Sequence, residues 1–169
     1  MGQKLSTYAP IELLVLVNGI RITGFTDTDI LTIDRDTPRW SKQTGVMDET
    51  ARANSAVTGA KVTLQIMQSS YANDLLTQLH KNDAENPADG NTMSLVITDK
   101  TGTTNFVSTE AWILDLPQVQ FTNGLETRSW EIDCANSKEH VGGNAVSLGV
   151  VGAFASGIES VTGVNIPTV

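Results

Sequence analysis

The chain has 169 residues, 40% hydrophobic and 5% aromatic, which is enough apolar mass for one cored domain and too much for a disordered chain. Nineteen acidic against eleven basic residues give a net charge of −8, which excludes an electrostatic grip on nucleic-acid phosphates. One cysteine excludes an internal disulfide, and nothing points to an oxidising compartment.

The opening MGQKLS fits the N-myristoylation pattern through Gly2 and Ser6. No polybasic cluster supplies the second signal that stable anchoring needs, so no membrane partner is expected. The first apolar run, residues 13–17, is too short for a signal peptide and follows Glu12. IELLVLVNGIRITGF, residues 11–25, places Asn18-Gly19 between alternating segments and predicts a tight hairpin pairing Val17 with Ile20 and Val15 with Ile22. Leu14 and Leu16 point the other way, so both faces of this hairpin are partly apolar. DILTIDRD, residues 29–36, predicts another short strand.

Residues 37–57, TPRWSKQTGVMDETARANSAV, form a long polar stretch that predicts a functional loop, and Trp40 sits inside it. KVTLQIM, residues 61–67, alternates with Val62, Leu64 and Ile66 on one side. The period then changes: Tyr71, Leu75, Leu76 and Leu79 predict one short helix over 70–81, with Ser69 or Ser70 as N-cap and His80 at its close. MSLVIT (93–98) and NFVSTEAWILDL (105–116) predict a further hairpin. Its second strand carries apolar residues on both faces, Phe106, Trp112, Leu114 and Leu116 against Val107, Ala111 and Ile113.

QVQFTNGLETRSWEID, residues 118–133, holds another Asn-Gly, at Asn123-Gly124, and predicts a hairpin pairing Phe121 with Glu126 and Val119 with Arg128. One face then carries Val119, Phe121, Arg128, Trp130, Ile132 and Cys134, the last read as an inert core thiol. The other carries Gln118, Gln120, Thr122, Thr127, Ser129, Glu131 and Asp133, with Leu125 its one apolar member. Residues 139–169 form a Gly-rich apolar arm beyond the β domain of residues 1–138. From His140 onward Glu159 is its one charged residue. Residues 145–158, AVSLGVVGAFASGI, are short for a membrane span, and their glycines weaken a helix. An arm ordered against a neighbouring subunit fits better than a bare apolar terminus.

Sites for chemistry are poor. His80 and His140 lack partners at metal spacing, and no nucleotide, phosphate-loop or G-x-S-x-G motif occurs. Glu131 and Asp133 resemble a carboxylate pair, but a solvated strand face accounts for them. No catalytic, cofactor or metal residue is expected. Alternating strands separated by turn signals predict a mainly β fold, an antiparallel sandwich or barrel with one short flanking helix. Several strands are apolar on both sides, which one helix cannot cover, so partners are the natural cover.

The order and spacing of LLVLVNGIRI, the loop 37–57, KVTLQIM, YANDLLTQLH and FTNGLETRSWEIDCA resemble the tail tube proteins of contractile-tailed bacteriophages over residues 11–138. The resemblance implies a β-sandwich subunit that forms hexameric rings, stacked into a hollow tube inside a sheath. Its partners would be further copies of itself, sheath protein, and baseplate and tail terminator proteins, assembled in the host cytoplasm into the virion tail. It implies that the loop reaches the adjacent ring; Arg39, Trp40, Met47, Asp48 and Glu49 are expected to be its contacts, since aromatics anchor interfaces. DNA would be non-specific cargo in the lumen. A wall of Gln118, Gln120, Thr127, Ser129, Glu131 and Asp133 suits such passage, having no cation to hold phosphates and no aromatic for bases to stack on. The inner tube of a type VI secretion or other contractile injection system is the alternative within the resemblance. A monomeric ligand-binding β-sandwich, from another class, would want an aromatic-lined pocket, and the aromatic count disfavours it.

Overall fold

Asn18 and Gly19 take positive φ, 50° and 79°, as a tight primed turn requires. They join β1 (Leu13–Val17) to β2 (Ile20–Ile22), with Val17 opposite Ile20 and Val15 opposite Ile22 as expected. This computed structural model describes residues 12–87 and 90–143; the MGQKLS motif and the apolar segment 145–158 lie outside the described residues. The remaining elements are β3 (Leu31–Arg35), β4 (Trp40–Thr44), β5 (Thr50–Asn54), β6 (Ala60–Met67), α1 (Ala72–Glu85), β7 (Met93–Asp99), β8 (Asn105–Ile113) and β9 (Thr127–His140). Seven strands form one antiparallel sheet in the order β2-β1-β7-β8-β9-β6-β3, and β4 and β5 form a separate ribbon.

The sheet is rolled, and chain length forces it. β2 and β6 stand five positions apart in the strand order, about 24 Å in a flat sheet at ~4.8 Å per strand. Yet Gly24, two residues beyond β2, accepts from Met67 N at 2.9 Å, and Thr26 N donates to Gln65 O at 3.1 Å. Two residues span at most about 7 Å, so the two sides of the sheet must curl toward each other. The inward side chains, among them Val15, Val17, Leu64, Ile66, Leu95, Phe106, Trp130 and Ile132, make one buried cluster.

Helix α1 adds Ala72 and Leu76 to that cluster. It runs to Glu85, past the expected end at 81, because no breaker intervenes before Asn86, which precedes Pro87 and leaves helical geometry. His80 therefore lies inside the helix and not at its close. Tyr71 holds the cap position without a side-chain bond, but Ser70 Oγ accepts from Ala72 N at 3.2 Å and donates to Thr23 O at 2.7 Å. That hydroxyl ties the start of the helix to the chain leaving β2.

Three further expectations are corrected. The hairpin over 118–133 does not form: residues 118–126 are irregular, and neither Asn123 nor Gly124 takes positive φ. β9 instead pairs with β6 over eight positions, Thr127 to Cys134, which sets Trp130 against Leu64 and Ile132 against Val62. That long-range apolar pairing outweighs a local two-residue turn. The loop 37–57 is largely a ribbon, with Trp40 opposite Asn54 and Thr44 opposite Thr50. Its sequence hides this because neither face is apolar, so period-2 alternation leaves no trace. The strand expected over 105–116 stops at Ile113, and its two apolar faces come from a register shift between Ser108 and Ala111. Phe106 and Ser108 face inward before the bulge, and Ala111 and Ile113 after it.

Candidate assembly surfaces

Three exposed surfaces have no cover from the other described residues. The first is the arm, β4 with β5. Every residue of both strands is exposed, so both faces of the ribbon are bare. An isolated two-stranded ribbon is marginal in water. Cross-strand pairing puts Trp40, Lys42, Arg52 and Asn54 on one face. There the Arg52 guanidinium lies 4.0 Å from the centre of the Trp40 ring, a cation–π contact that leaves Trp40 49% exposed. At the tip Gly45 N donates to Glu49 O at 2.7 Å, Asp48 takes a φ of 65°, and Val46 and Met47 stand fully out in solvent. Of the expected contact residues, Arg39 and Trp40 lie at the base of the arm, and Met47, Asp48 and Glu49 at its tip.

The second surface is the outward face of the rolled sheet. Thr127, Ser129, Glu131 and Asp133 share the outward side of β9, as expected, but Gln118 and Gln120 lie in the irregular segment and do not join that row. The register adds residues that the sequence reading did not name: Lys61, Thr63 and Gln65 from β6, and Thr32 and Asp34 from β3. The signal was present, since they are the polar complement of Val62, Leu64 and Ile66. Gln65 Nε2 donates to Ser129 Oγ at 3.2 Å. Lys61 Nζ lies 3.3 Å from Glu131 Oε2, so this face does carry a cation; the pair is about half exposed and contributes little stability. Asp34, Glu131 and Asp133 leave the face net negative. Further round the roll, the outward residues become Leu14, Leu16, Val96 and Val107, each only partly buried. The sheet thus has a polar outer half and a mixed one, where Leu14, Leu16, Val96 and Val107 form an apolar stripe beside Arg21, Thr98, Asn105 and Lys138, and that stripe fits the expectation of strands covered by partners.

The third surface is the segment 114–126. It leaves β8 with Leu114 N bonded to Glu131 O and rejoins the sheet where Gln68 N donates to Glu126 O. Between these anchors Leu116, Val119, Phe121 and Leu125 are exposed, Phe121 to 83%. Its two charged residues, Asp115 and Glu126, are both acidic.

Sites for chemistry stay weak in three dimensions. Among the described residues no group of three or more His, Cys, Asp or Glu could hold a metal ion, and no helix is long and apolar enough to cross a membrane. Cys134 is fully buried, and burial, opposed by a bond to Ser108 and helped by Asp133 and Asp36, pushes its thiol up to about 11. A thiol so raised is not a nucleophile at neutral pH.

Comparison with known proteins gives one curated relative, the structural protein ORF10 of Pseudomonas phage KPP10. It is 33% identical over 150 residues, covering 85% of this chain and 87% of the relative. No family model matches. Among solved structures, the tube terminating cap of the anti-feeding prophage superposes with a TM-score of 0.53 at 9% identity, covering 83% of this chain and 95% of the cap. That likeness is one of fold alone. The sheath/tube terminator and the sheath-tube complex of an extracellular contractile injection system each reach 0.49, at 14% and 12% identity. Each comparison covers 80% of this chain, with 97% and 92% of the respective neighbour.

Proposed function

We propose that this chain, which belongs to the family of the phage structural protein ORF10, is a subunit of a tail tube, copies of which close into hexameric rings and stack inside a contractile sheath. The observation that carries the reading is the arm: a cation-bearing ribbon, bare on both faces, projecting from a rolled sheet. A monomer gains nothing from such a ribbon, whereas a stacked assembly covers it. In this reading Arg39, Trp40, Met47, Asp48 and Glu49 meet the adjacent ring. The chain has no enzymatic role, and sheath, baseplate and terminator proteins are its other partners.

The polar outer half of the sheet supplies the lumen wall. Thr127, Ser129, Glu131 and Asp133, extended by Thr63, Gln65 and Asp34, present hydroxyls, amides and carboxylates to passing DNA, and Lys61 among them is paired with Glu131. Gln118 and Gln120 belong to the same wall only if segment 114–126 borders the lumen too. Changing Glu131 and Asp133 together to Lys is expected to leave assembly intact and slow DNA ejection. Normal ejection from assembled particles removes the lumen assignment.

The fold likeness to a tube terminating cap favours a second reading, a ring that ends a tube instead of extending it. Negative-stain electron microscopy of the purified protein separates the two. Tubes of open-ended length support the first reading, and single rings that never stack support the second. A monomer at every concentration, with or without a baseplate seed, counts against both.

A further inference from the structure

We infer that the arm of one copy docks, through its Trp40 face, onto the exposed segment 114–126 of a second copy. This rests on the assembly reading above and names the surface that receives the arm.

The two surfaces fit each other in three respects. Charge comes first. Arg39, Lys42 and Arg52 place three of the eleven basic residues of the chain within the stem of the arm, two of them on the Trp40 face. The segment 114–126 has no cation, and its charges are Asp115 and Glu126. In a chain of net charge −8 most surfaces repel one another, so a cationic ribbon has a strong preference for an acidic site on a second copy. Apolar complementarity comes second. Trp40 is half exposed and already carries a cation over one side of its ring, while Phe121 and Leu125 stand exposed with no covering element among the described residues. Aromatic side chains bring large contact area at low entropic cost, and Trp and Arg are the residues most enriched among interface anchors. Backbone comes third. Residues 114–126 form no strand, so the segment can shape itself to a ribbon without giving up sheet bonds.

Size says how the contact works. A five-residue ribbon face measures about 16 Å by 10 Å, so roughly 300 Å² is buried over both partners. Specific stable interfaces bury about 1,200–2,000 Å². One arm on one segment is therefore too small to hold a dimer, and the contact is effective only when repeated round a closed, stacked assembly. This places no stable dimer in dilute solution and sharp onset of assembly with concentration.

Disulfide trapping tests the inference. Trp40→Cys and Phe121→Cys chains are each added as a minor fraction to wild-type chain, whose intact contacts carry assembly, then co-assembled and oxidised; Cys134 is buried and does not compete. A disulfide-linked dimer formed from the mixture, and from neither chain alone, is the expected result. Phe121→Cys linking to itself would show the segment packing on its own copy across a symmetry axis, and would overturn the inference. Linking of Phe121→Cys to an Ala153→Cys chain would give the segment to the C-terminal arm, and would overturn it too. Charge exchange keeps Trp40 in place in case Trp40→Cys loses the ribbon. Lys42→Glu with Arg52→Glu is expected to raise the concentration needed for assembly at least tenfold, and adding Asp115→Lys with Glu126→Lys is expected to restore it. Assembled particles with no Trp40–Phe121 link and no charge rescue refute the docking and leave the tube reading standing. Wild-type chain that never assembles removes the tube reading, and the docking falls with it.

Discussion

Replacing Trp40 by Ala separates folding from assembly, because the two effects differ in size. In the lone subunit Trp40 is exposed and is not a member of the buried cluster. Its loss removes one exposed cation–π contact with Arg52, worth about 0.5–1 kcal/mol, and cross-strand packing worth about 0.2–1 kcal/mol. Both belong to the ribbon, so unfolding of the rolled sheet should shift by less than about 4 °C. In an assembly the balance differs. A Trp side chain buries about 150–250 Å², and with half of it still exposed about 100 Å² remains to be covered. At about 25 cal/mol per Å² that is roughly 2.5 kcal/mol per contact, near a sixtyfold loss of affinity. A closed ring multiplies that loss by its number of contacts. Sedimentation velocity with negative-stain microscopy, beside circular dichroism melts, reads both quantities. The expected outcome is a folded monomer that no longer forms tubes. Tubes at the wild-type concentration would refute the arm as an assembly element, and a chain that fails to fold would show that Trp40 serves its own domain.

Three further changes probe the subunit itself. Asn73→Ala removes the Oδ1 that accepts from Trp130 Nε1 at 2.9 Å and the Nδ2 that donates to Met67 O at 2.9 Å, leaving a buried indole N–H unmatched. A loss of about 2–3 kcal/mol in urea unfolding is expected, largely relieved by adding Trp130→Phe; independent single effects would refute the link. Gly24→Ala forces a side chain into a φ of 83° and into Ser70, the residue that joins Thr23 to the start of α1, so the melting temperature should fall by several degrees. Cys134 should resist thiol reagents at pH 8 until the chain unfolds. Its thiol is raised in the folded state, so the stability it contributes is full below pH 9 and lost as pH climbs toward 11. Cys134→Ala should flatten that decline.

Local rules gave the elements whose signal lies within a few residues. Asn18-Gly19 formed the turn its chemistry demands, and KVTLQIM placed Val62, Leu64 and Ile66 inward with Lys61, Thr63 and Gln65 outward. Helix α1 followed from its change of period. Trp130, Ile132 and Cys134 were assigned to the buried side of β9, although the hairpin meant to hold them there does not exist. Alternation fixes which residues share a face, whatever strand lies alongside.

Partner choice was the part that needed three dimensions. Asn123-Gly124 has the same turn chemistry as Asn18-Gly19, but β9 had a longer apolar partner in β6, some sixty residues away in the chain. The bulge in β8 changed the facing of a strand halfway along, and the polar ribbon of 40–54 left no pattern because neither of its faces is buried. The sequence by itself therefore determined the turns, the periods and the composition of each face. Which strand lies beside which, how the sheet rolls, and which apolar residues are left outside it were decided only by the tertiary structure. The reason is energetic: a turn is chosen by two residues, whereas a strand pairing is chosen by the sum of all the side chains it buries.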